Sequence, residues 1–117
     1  MQPAIGLDIV EIDRIRRAAR RSPRFLKRVF SAAEIAYCKS KPRPWQHFAV
    51  RFAAKEAVWK ALGSGGIALN DIEVKSGPNG RPSIRLGGKK PAFPIEISLS
   101  HSDHYAVAVA LVFQKIK

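Results

Sequence analysis

The chain has 117 residues, of which 46% are hydrophobic, and this length and apolar content predict one folded domain over residues 1–117 rather than a disordered chain. It carries 21 Lys and Arg against 9 Asp and Glu, a formal net charge of +12, which favours a polyanionic partner: nucleic acid, an anionic membrane, an acidic protein or a phosphate-rich small molecule. The single cysteine excludes internal disulfides, and the lack of a signal-peptide pattern or of roughly 20 successive apolar residues predicts a cytoplasmic protein.

An apolar strand is predicted near the N-terminus, over Ala4 to Val10, and it contains one acidic residue. Alternation along the strand gives two faces, with Ile5, Leu7 and Ile9 on one and Gly6, Asp8 and Val10 on the other. An aspartate in the middle of such a strand is either an exposed position or local turn acceptor, or else a metal ligand or base on a rigid element. A second carboxylate from elsewhere in the chain would favour the metal ligand.

Two helices rich in cations are predicted next. The first runs from about Glu11 or Asp13 to Arg20, and Ser22 before Pro23 predicts the N-cap and first position of a second, shorter helix. Their basic surface is either a dock for an acidic helix, with an apolar anchor at its edge, or a merely solvated face. The basic residues of this region and its apolar anchor are Arg14, Arg16, Arg17, Arg20, Arg21, Arg24, Lys27, Arg28 and Phe25.

A third helix is predicted from the capping-box sequence SAAE, in which Ser31 and Glu34 cap each other, and it ends near Lys39. Pro42 and Pro44 then predict a break before the next helix. The lone Cys38 falls inside the third helix without other metal-ligating residues beside it, so it is expected to be an inert, partly buried side chain.

A long helix is predicted from Phe48 to Gly63, with good helix formers throughout and a terminal glycine suited to a left-handed turn. One face is made of small residues, which permits close approach of a sheet or another helix, and a second sector is large and apolar. The small face consists of Val50, Ala53, Ala54, Ala57 and Ala61, and the large sector of Phe48, Phe52, Trp59 and Leu62.

Four charged residues interrupt this otherwise buried helix. Glu56 and Lys60 lie one turn apart on one sector, and Arg51 and Lys55 lie one turn apart on another. Either these are solvent-facing pairs, which contribute little, or the helix keeps them because they meet something charged, such as phosphate and metal. Spacing alone leaves both interpretations open.

The C-terminal half is predicted to be mainly β-structure. A Gly-rich loop, SGGIALND, follows the long helix but matches no Walker pattern, so it is a weak phosphate-loop signal. Ile72 to Lys75 and Pro82 to Leu86 are predicted strands joined by the turn GPNG. Ile95 to Leu99 alternates in polarity, and YAVAVALVF is predicted to form a last strand. His101, at the tip of the first of these strands, is either structural or a hydrogen-bond donor to a phosphate.

Four sequence blocks, GLDIVEI at 6–12, RVFSAAE at 28–34, RFAAKEAVWKALG at 51–63 and ISLSHS at 97–102, with NGRP at 79–82, together resemble the holo-acyl-carrier-protein synthases, the short bacterial branch of the 4′-phosphopantetheinyl transferases. The resemblance covers nearly the whole chain in order. It implies an α+β fold with an antiparallel sheet packed on a long central helix. It also implies a homotrimer with active sites between subunits.

The activity that this resemblance implies is transfer of phosphopantetheine from coenzyme A to a serine of an acyl carrier protein, with Mg²⁺ at the diphosphate and release of adenosine 3′,5′-bisphosphate. In the family the carboxylates at the positions of Asp8 and Glu56 hold the metal, and Glu56 either holds a water or acts as the base. The lysine at the position of Lys60 is expected to neutralise charge on the diphosphate.

Further positions follow from the same resemblance. Those that bind or line the coenzyme A pocket are Arg51, Lys55, Lys60, Gly63, His101 and Ser102, of which Arg51 and His101 are the better candidates for phosphate. Those of the surface that docks the acidic carrier protein are Arg14, Arg21, Arg24 and Phe25. Two departures from the family pattern, Val50 and the sequence PRPW at 42–45, put the adenine-end contacts in doubt, including any role for Arg43.

The competing interpretation is a small basic protein that binds nucleic acid, whose affinity would fall steeply with salt. The two acids discriminate between these functions, since a protein that binds only the phosphate backbone does not need Asp8 and Glu56 in apolar elements beside cations. The sequence therefore favours the enzyme, without revealing which carrier protein it serves.

Overall fold

The computed structural model describes residues 2–63 and 67–114. After a first strand, the first half of the chain is helical, and the second half is mainly β-structure. In chain order the elements are β1 (Gln2–Glu11), α1 (Ile12–Arg21), α2 (Phe25–Val29), α3 (Ala32–Lys39), α4 (Pro44–Leu62), a 3₁₀ turn (Leu69–Asp71), β2 (Ile72–Ser76), β3 (Pro82–Leu86), β4 (Ile95–His101) and β5 (Tyr105–Gln114).

The strands form two antiparallel sheets. β5 is the middle strand of a three-stranded sheet in the order β1-β5-β4, and β2 pairs with β3 in a separate hairpin. In the larger sheet Ala108 lies opposite both Asp8 on β1 and Leu99 on β4, which fixes the register of the three strands. The predicted α+β fold, with an antiparallel sheet packed on a long helix, is confirmed.

Helix α4 packs directly on the larger sheet through its small residues. Ala53, Ala54 and Ala57 have no exposed surface, and neither do Ala106 and Ala110 of β5. The closest approach is at Gly6, where a β-carbon would lie 1.7 Å from the carbonyl oxygen of Ala57. Only glycine fits there, and this close contact brings the residue two positions later, Asp8, against the same helix.

Two helix starts differ from prediction. Ser22 does not cap α2; it ends α1, and its carbonyl accepts from the amide of Phe25, so that residues 22–25 form a turn before α2. The cause is that the Ser-Pro pattern suits a turn as well as a cap. Helix α4 begins at Pro44, four residues before the predicted start at Phe48, because a proline in the first turn needs no amide hydrogen. The predicted break lies at residues 40–43, between α3 and α4.

The remaining predicted elements are confirmed with small changes in their ends. Ser31 and Glu34 form the complete capping box of α3, and Gly63 ends α4 in the left-handed conformation with φ 79°. The hairpin turn contains Gly80 at φ 72°. Residues 64–66 of the Gly-rich loop lie outside the described residues, so the weak phosphate-loop prediction there is untested.

The two faces of β1 have opposite environments. Gly6 and Val10 are buried against α4, whereas Ile5, Leu7 and Ile9 are 69%, 60% and 64% exposed on the other side of the sheet. The neighbouring strand β5 adds Tyr105 and Val109 to this exposed apolar face. None of the helices in the described part of the chain combines the length and apolar character that a membrane-spanning helix needs.

Candidate active site

Asp8 and Lys60 meet where β1 crosses the last turns of α4. The Lys60 ammonium lies 3.4 Å from Asp8 Oδ1 and donates a hydrogen bond of 3.0 Å to the carbonyl oxygen of Leu7. The Asp8 side chain is only 17% exposed, whereas that of Lys60 is 51% exposed. Asp8 is therefore neither a solvent-exposed strand position nor a turn acceptor, and it reaches a cation across 52 residues of sequence.

Glu56 lies one helical turn before Lys60 and is half-buried. Burial raises the pKa of its carboxyl above the ordinary value, the negative charge of Asp8 raises the pKa further, and Lys60 opposes both. No other described residue gives the Glu56 carboxylate a hydrogen bond or ion pair. The two acids are thus close enough to interact, and one exposed lysine partly compensates them.

This donor set fits a hard divalent cation. Mg²⁺ is commonly held by one or two carboxylates, with phosphate oxygens and waters as its other ligands. In the part of the chain that the structure describes, no group of three or more His, Cys, Asp or Glu side chains has metal-site geometry. Asp8 and Glu56 remain as a pair of neighbouring carboxylates, and such a pair suits a metal whose other ligands come from a substrate.

Arg51 is buried and belongs to a separate cluster on α4. Its guanidinium donates to Ser76 Oγ at 3.1 Å and to the carbonyl oxygen of His47 at 3.4 Å, and it lies 4.3 Å from the ring centroid of Tyr37. Lys41 lies over the same ring at 4.6 Å. Neither cation forms an ion pair with any described acid, so positive charge is concentrated around one aromatic ring.

His101 lies near this cluster at the end of β4. Partial burial lowers the pKa of His47, and so do the charges of Arg51, Lys41 and His101, which places His101 within electrostatic reach of the cluster. Ser102 follows His101 at the exposed turn, where its hydroxyl accepts from the amides of His104 and Tyr105. The charges of Arg51 and His101 therefore both act on the imidazole of His47, although these two residues are 50 positions apart in sequence.

Lys55 has a different environment from its neighbours in sequence. Its side chain has no exposed surface, and its ammonium lies 2.6 Å from Glu34 Oε1 and donates to the carbonyl oxygens of Leu69 and Ile72. Three donors thus meet three acceptors. Lys55 is not a solvent-facing partner of Arg51, and its predicted contact with coenzyme A stays a prediction.

The residues predicted to dock an acidic protein lie on α1 and just before α2. Arg14, Arg21 and Arg24 are exposed, and none of them forms an ion pair with a described residue, because the ion pairs of α1 use other arginines. Phe25 is half-buried, and its ring stacks on Phe52 of α4 at a centroid distance of 6.4 Å. The surface is basic and unneutralised, with an aromatic residue at its edge.

Sequence analysis missed three residues of this region. Glu34 was interpreted only as part of a capping box, yet it is 2% exposed and also pairs with Lys55. Tyr37 gave no signal in the sequence, because its proximity to Arg51 depends on how α3 packs on α4, and His47, which lies one turn before Arg51 on α4 itself, was not singled out. The pairing of Glu34 could have been suspected from Lys55, since a lysine on a buried helix needs a carboxylate partner from elsewhere in the chain.

Comparison with known proteins identifies the family of the chain. A sequence model described as the 4′-phosphopantetheinyl transferase superfamily matches residues 4–110. The holo-[acyl-carrier-protein] synthase of Moorella thermoacetica is 47% identical over 116 residues, which cover 92% of this chain and 91% of that protein.

Solved structures show the same fold. The holo-(acyl-carrier-protein) synthase from Bacillus anthracis str. Ames, in complex with CoA (3′,5′-ADP), has a TM-score of 0.81 at 32% identity and covers 93% of this chain and 94% of its own. The Helicobacter pylori holo-[acyl-carrier-protein] synthase, in complex with coenzyme A, has a TM-score of 0.80 at 36% identity and covers 93% and 99%. The chain belongs to the 4′-phosphopantetheinyl transferase superfamily and, within it, to the holo-[acyl-carrier-protein] synthases.

Proposed function

We propose that the protein transfers the 4′-phosphopantetheine group from coenzyme A to a serine of apo acyl carrier protein in a Mg²⁺-dependent reaction that releases adenosine 3′,5′-bisphosphate. The observation that carries this proposal is the convergence of Asp8, Glu56 and Lys60 at the crossing of β1 and α4. Family membership and the coenzyme A complexes of related proteins support it.

Asp8 and Glu56 are the residues that would hold Mg²⁺. When bound, the metal would neutralise charge on the diphosphate of coenzyme A and polarise the phosphorus that carries pantetheine. The carrier serine attacks that phosphorus, the bond to the leaving adenosine bisphosphate breaks, and the serine proton passes to Glu56 or to a water that Glu56 holds. The half-buried carboxylate of Glu56, which no described side chain engages by a hydrogen bond, is free for either role.

Lys60 is suited to neutralise charge as the phosphorus–oxygen bond breaks. Its ammonium is half-exposed and is held near Asp8 and the Leu7 carbonyl, so it is positioned yet open to a ligand. Such electrostatic stabilisation is a main source of catalysis in phosphoryl transfer. Arg51 and His101 would bind further phosphate of coenzyme A, and Gly63 and Ser102 would line the same pocket.

The acidic acyl carrier protein would dock on α1 and the start of α2. The exposed side chains of Arg14, Arg21 and Arg24 offer unpaired positive charge to it, and Phe25 offers an apolar contact at the edge of that charge. Complementary charge of this kind speeds association and fixes orientation. The net charge of +12 then has a reason in two anionic substrates. A cytoplasmic location and one domain over the whole chain remain predictions.

We also infer a homotrimer with active sites between subunits, and the exposed apolar face of β1 and β5 supports this. Leu7 and Val109 are paired neighbours across these strands, and both are exposed. A face of this kind is typical of a surface that another protein covers. Leu7→Lys should therefore shift the protein from trimer to monomer in sedimentation velocity. A wild-type protein that sediments only as monomer would contradict the inference.

The direct test is the mass of a purified apo acyl carrier protein after incubation with the protein, coenzyme A and Mg²⁺. We expect a gain of one phosphopantetheine group, which is absent when the metal is chelated. If several carrier proteins gain no mass while the protein binds nucleic acid with steep salt dependence, the competing nucleic-acid function replaces this one.

A further inference from the structure

The structure assigns Lys55 and Trp59 a positioning role: we propose that these two α4 residues hold the segment 67–72 in place through its main-chain carbonyls, and thereby build the wall of the cavity that adjoins Glu56. This inference rests on the proposed function of Glu56. It gives Lys55 a different role from the ligand contact that sequence resemblance implies for it.

Lys55 is a buried lysine whose ammonium is held by one carboxylate and two main-chain carbonyl oxygens. Its ammonium pairs with Glu34 and donates to the carbonyl oxygens of Leu69, at 3.2 Å, and of Ile72. The carboxylate of Glu34 also accepts from the amide of Ser31 at 2.9 Å and from the amide of Val74 at 2.8 Å. A buried charge is tolerated only with such full compensation, so this lysine is anchored between α3, α4 and β2.

Trp59 lies one helical turn after Lys55 and reaches the same segment. Its indole Nε1–H donates to the carbonyl oxygen of Ile67 at 3.2 Å. The two side chains together therefore anchor three carbonyl groups within six residues that contain only a single 3₁₀ turn. Buried carbonyls need such partners, and here the helix that carries Glu56 supplies them from its side chains.

The anchored segment forms one side of the candidate active site. A cavity of about 250 Å³ is lined by Glu56 and Trp59 from α4 and by Ile67 and Leu69 from the segment. The carbonyls of Ile67 and Leu69 are two of those that α4 holds, so the position of their side chains depends on Lys55 and Trp59. On this proposal, part of the burial of Glu56 depends on the contacts that Lys55 and Trp59 make with the segment.

Trp59→Phe keeps one aromatic ring but loses the indole N–H donor and the second ring, so the hydrogen bond is isolated by comparison with a Trp→Phe change elsewhere on the helix. Trp45→Phe is a matched control, since Trp45 is on the same helix, packs on Phe48 at 5.4 Å between ring centroids, and donates no hydrogen bond to a described residue. One hydrogen bond lost should speed amide exchange of residues 67–72 by about three- to tenfold in Trp59→Phe. In the Trp45→Phe variant the amides of residues 67–72 should exchange at the wild-type rate.

Steady-state kinetics give the functional readout. We expect the KM for coenzyme A to rise by about threefold or more in Trp59→Phe, with kcat within about twofold and the KM for carrier protein unchanged. Lys55→Arg keeps the positive charge but changes the geometry of its contacts with the segment, so it should also raise the KM for coenzyme A. Equal exchange and equal KM in Trp59→Phe and Trp45→Phe would overturn the proposal, as would a loss confined to melting temperature.

The two proposals fail in distinguishable ways. If the wild-type protein transfers nothing to any carrier protein, the proposed function fails, but exchange of residues 67–72 still reports whether Trp59 anchors the segment. If transfer proceeds normally and the exchange of that segment is indifferent to Trp59→Phe, only the positioning role is wrong.

Discussion

Lys55 and Glu56 are adjacent on α4, and both are charged, yet their environments are opposite. Lys55 is wholly buried, and each of its three donors has an acceptor. Glu56 is half-buried, and among the described residues its carboxylate is influenced by the charges of Asp8 and Lys60 without a direct hydrogen bond. The Lys55 ammonium is neutralised inside the protein, whereas the Glu56 carboxylate is available to a ligand. The two differ because neighbouring side chains on a helix point about 100° apart.

The difference teaches how to separate structural from functional charge in a buried helix. A compensated charge contributes to the unique packing of the chain, and its removal leaves a partner unpaired. An uncompensated charge costs stability where it stands, and proteins keep such groups at functional sites. Substitutions on the two sides of this comparison should therefore separate stability from activity.

The largest effect is expected from Lys55→Met, which leaves the carboxylate of Glu34 buried without its cation. Loss of one partner of a buried pair should lower the free energy of unfolding by about 3–5 kcal/mol. Urea denaturation measures this directly. The double variant Lys55→Met/Glu34→Gln should recover much of the loss, and a single variant as stable as wild type would break the comparison.

Glu56→Gln should impair activity rather than stability. It should lower kcat/KM by about a hundredfold or more, since a catalytic metal supplies several kcal/mol of charge stabilisation. The unfolding midpoint should equal or exceed that of wild type, because the change removes an uncompensated charge. Glu96→Gln is the matched control, because Glu96 is an exposed β4 glutamate that pairs with an equally exposed Arg81 at 3.8 Å. Equal activity in the two variants would remove Glu56 from the site.

Lys60→Met tests the second charged residue of α4 that is available to a ligand. Its ammonium is half-exposed, so stability should change little, whereas kcat should fall by about ten- to a hundredfold through lost electrostatic stabilisation. The KM for coenzyme A should change less than kcat. A variant that loses only affinity, with kcat intact, would show that Lys60 binds substrate without acting on the transition state.

The smallest effect concerns His47, whose pKa lies below its ordinary value of 6.5 because of partial burial and nearby cations. The unfolded chain therefore binds this proton more readily, so stability is present above about pH 6.5 and is lost as pH falls below it. His47→Gln should flatten the dependence of the unfolding midpoint on pH between about 5 and 7. An unchanged slope would show that the shift has no consequence for folding.

Sequence periodicity predicted much of this fold because its signals are local. The long helix, the capping box of Ser31 and the hairpin at Gly80 each follow from residues within one or two turns of one another. The start of α2 was wrong for the same reason, since Ser22 and Pro23 suit a turn or a cap equally.

The site required contacts that no local pattern contains. Periodicity placed Asp8 and Gly6 on one face of β1, but the clash that demands glycine beside Ala57 exists only in three dimensions. Likewise the spacing of charges on α4 was visible, whereas the carboxylate that neutralises Lys55 comes from 21 positions earlier. The resemblance named Asp8, Glu56 and Lys60 together, and packing supplies the physical reason for their proximity.

The central claim, that Asp8 and Glu56 together hold a divalent cation with the diphosphate of coenzyme A, is tested most directly by metal binding. Titration with Mn²⁺, a spectroscopic substitute for Mg²⁺, should show in the presence of coenzyme A one bound ion per chain by electron paramagnetic resonance. Asp8→Asn and Glu56→Gln should each weaken that binding by about tenfold or more, while Glu96→Gln matches wild type. Equal Mn²⁺ affinity in all four proteins would contradict the account.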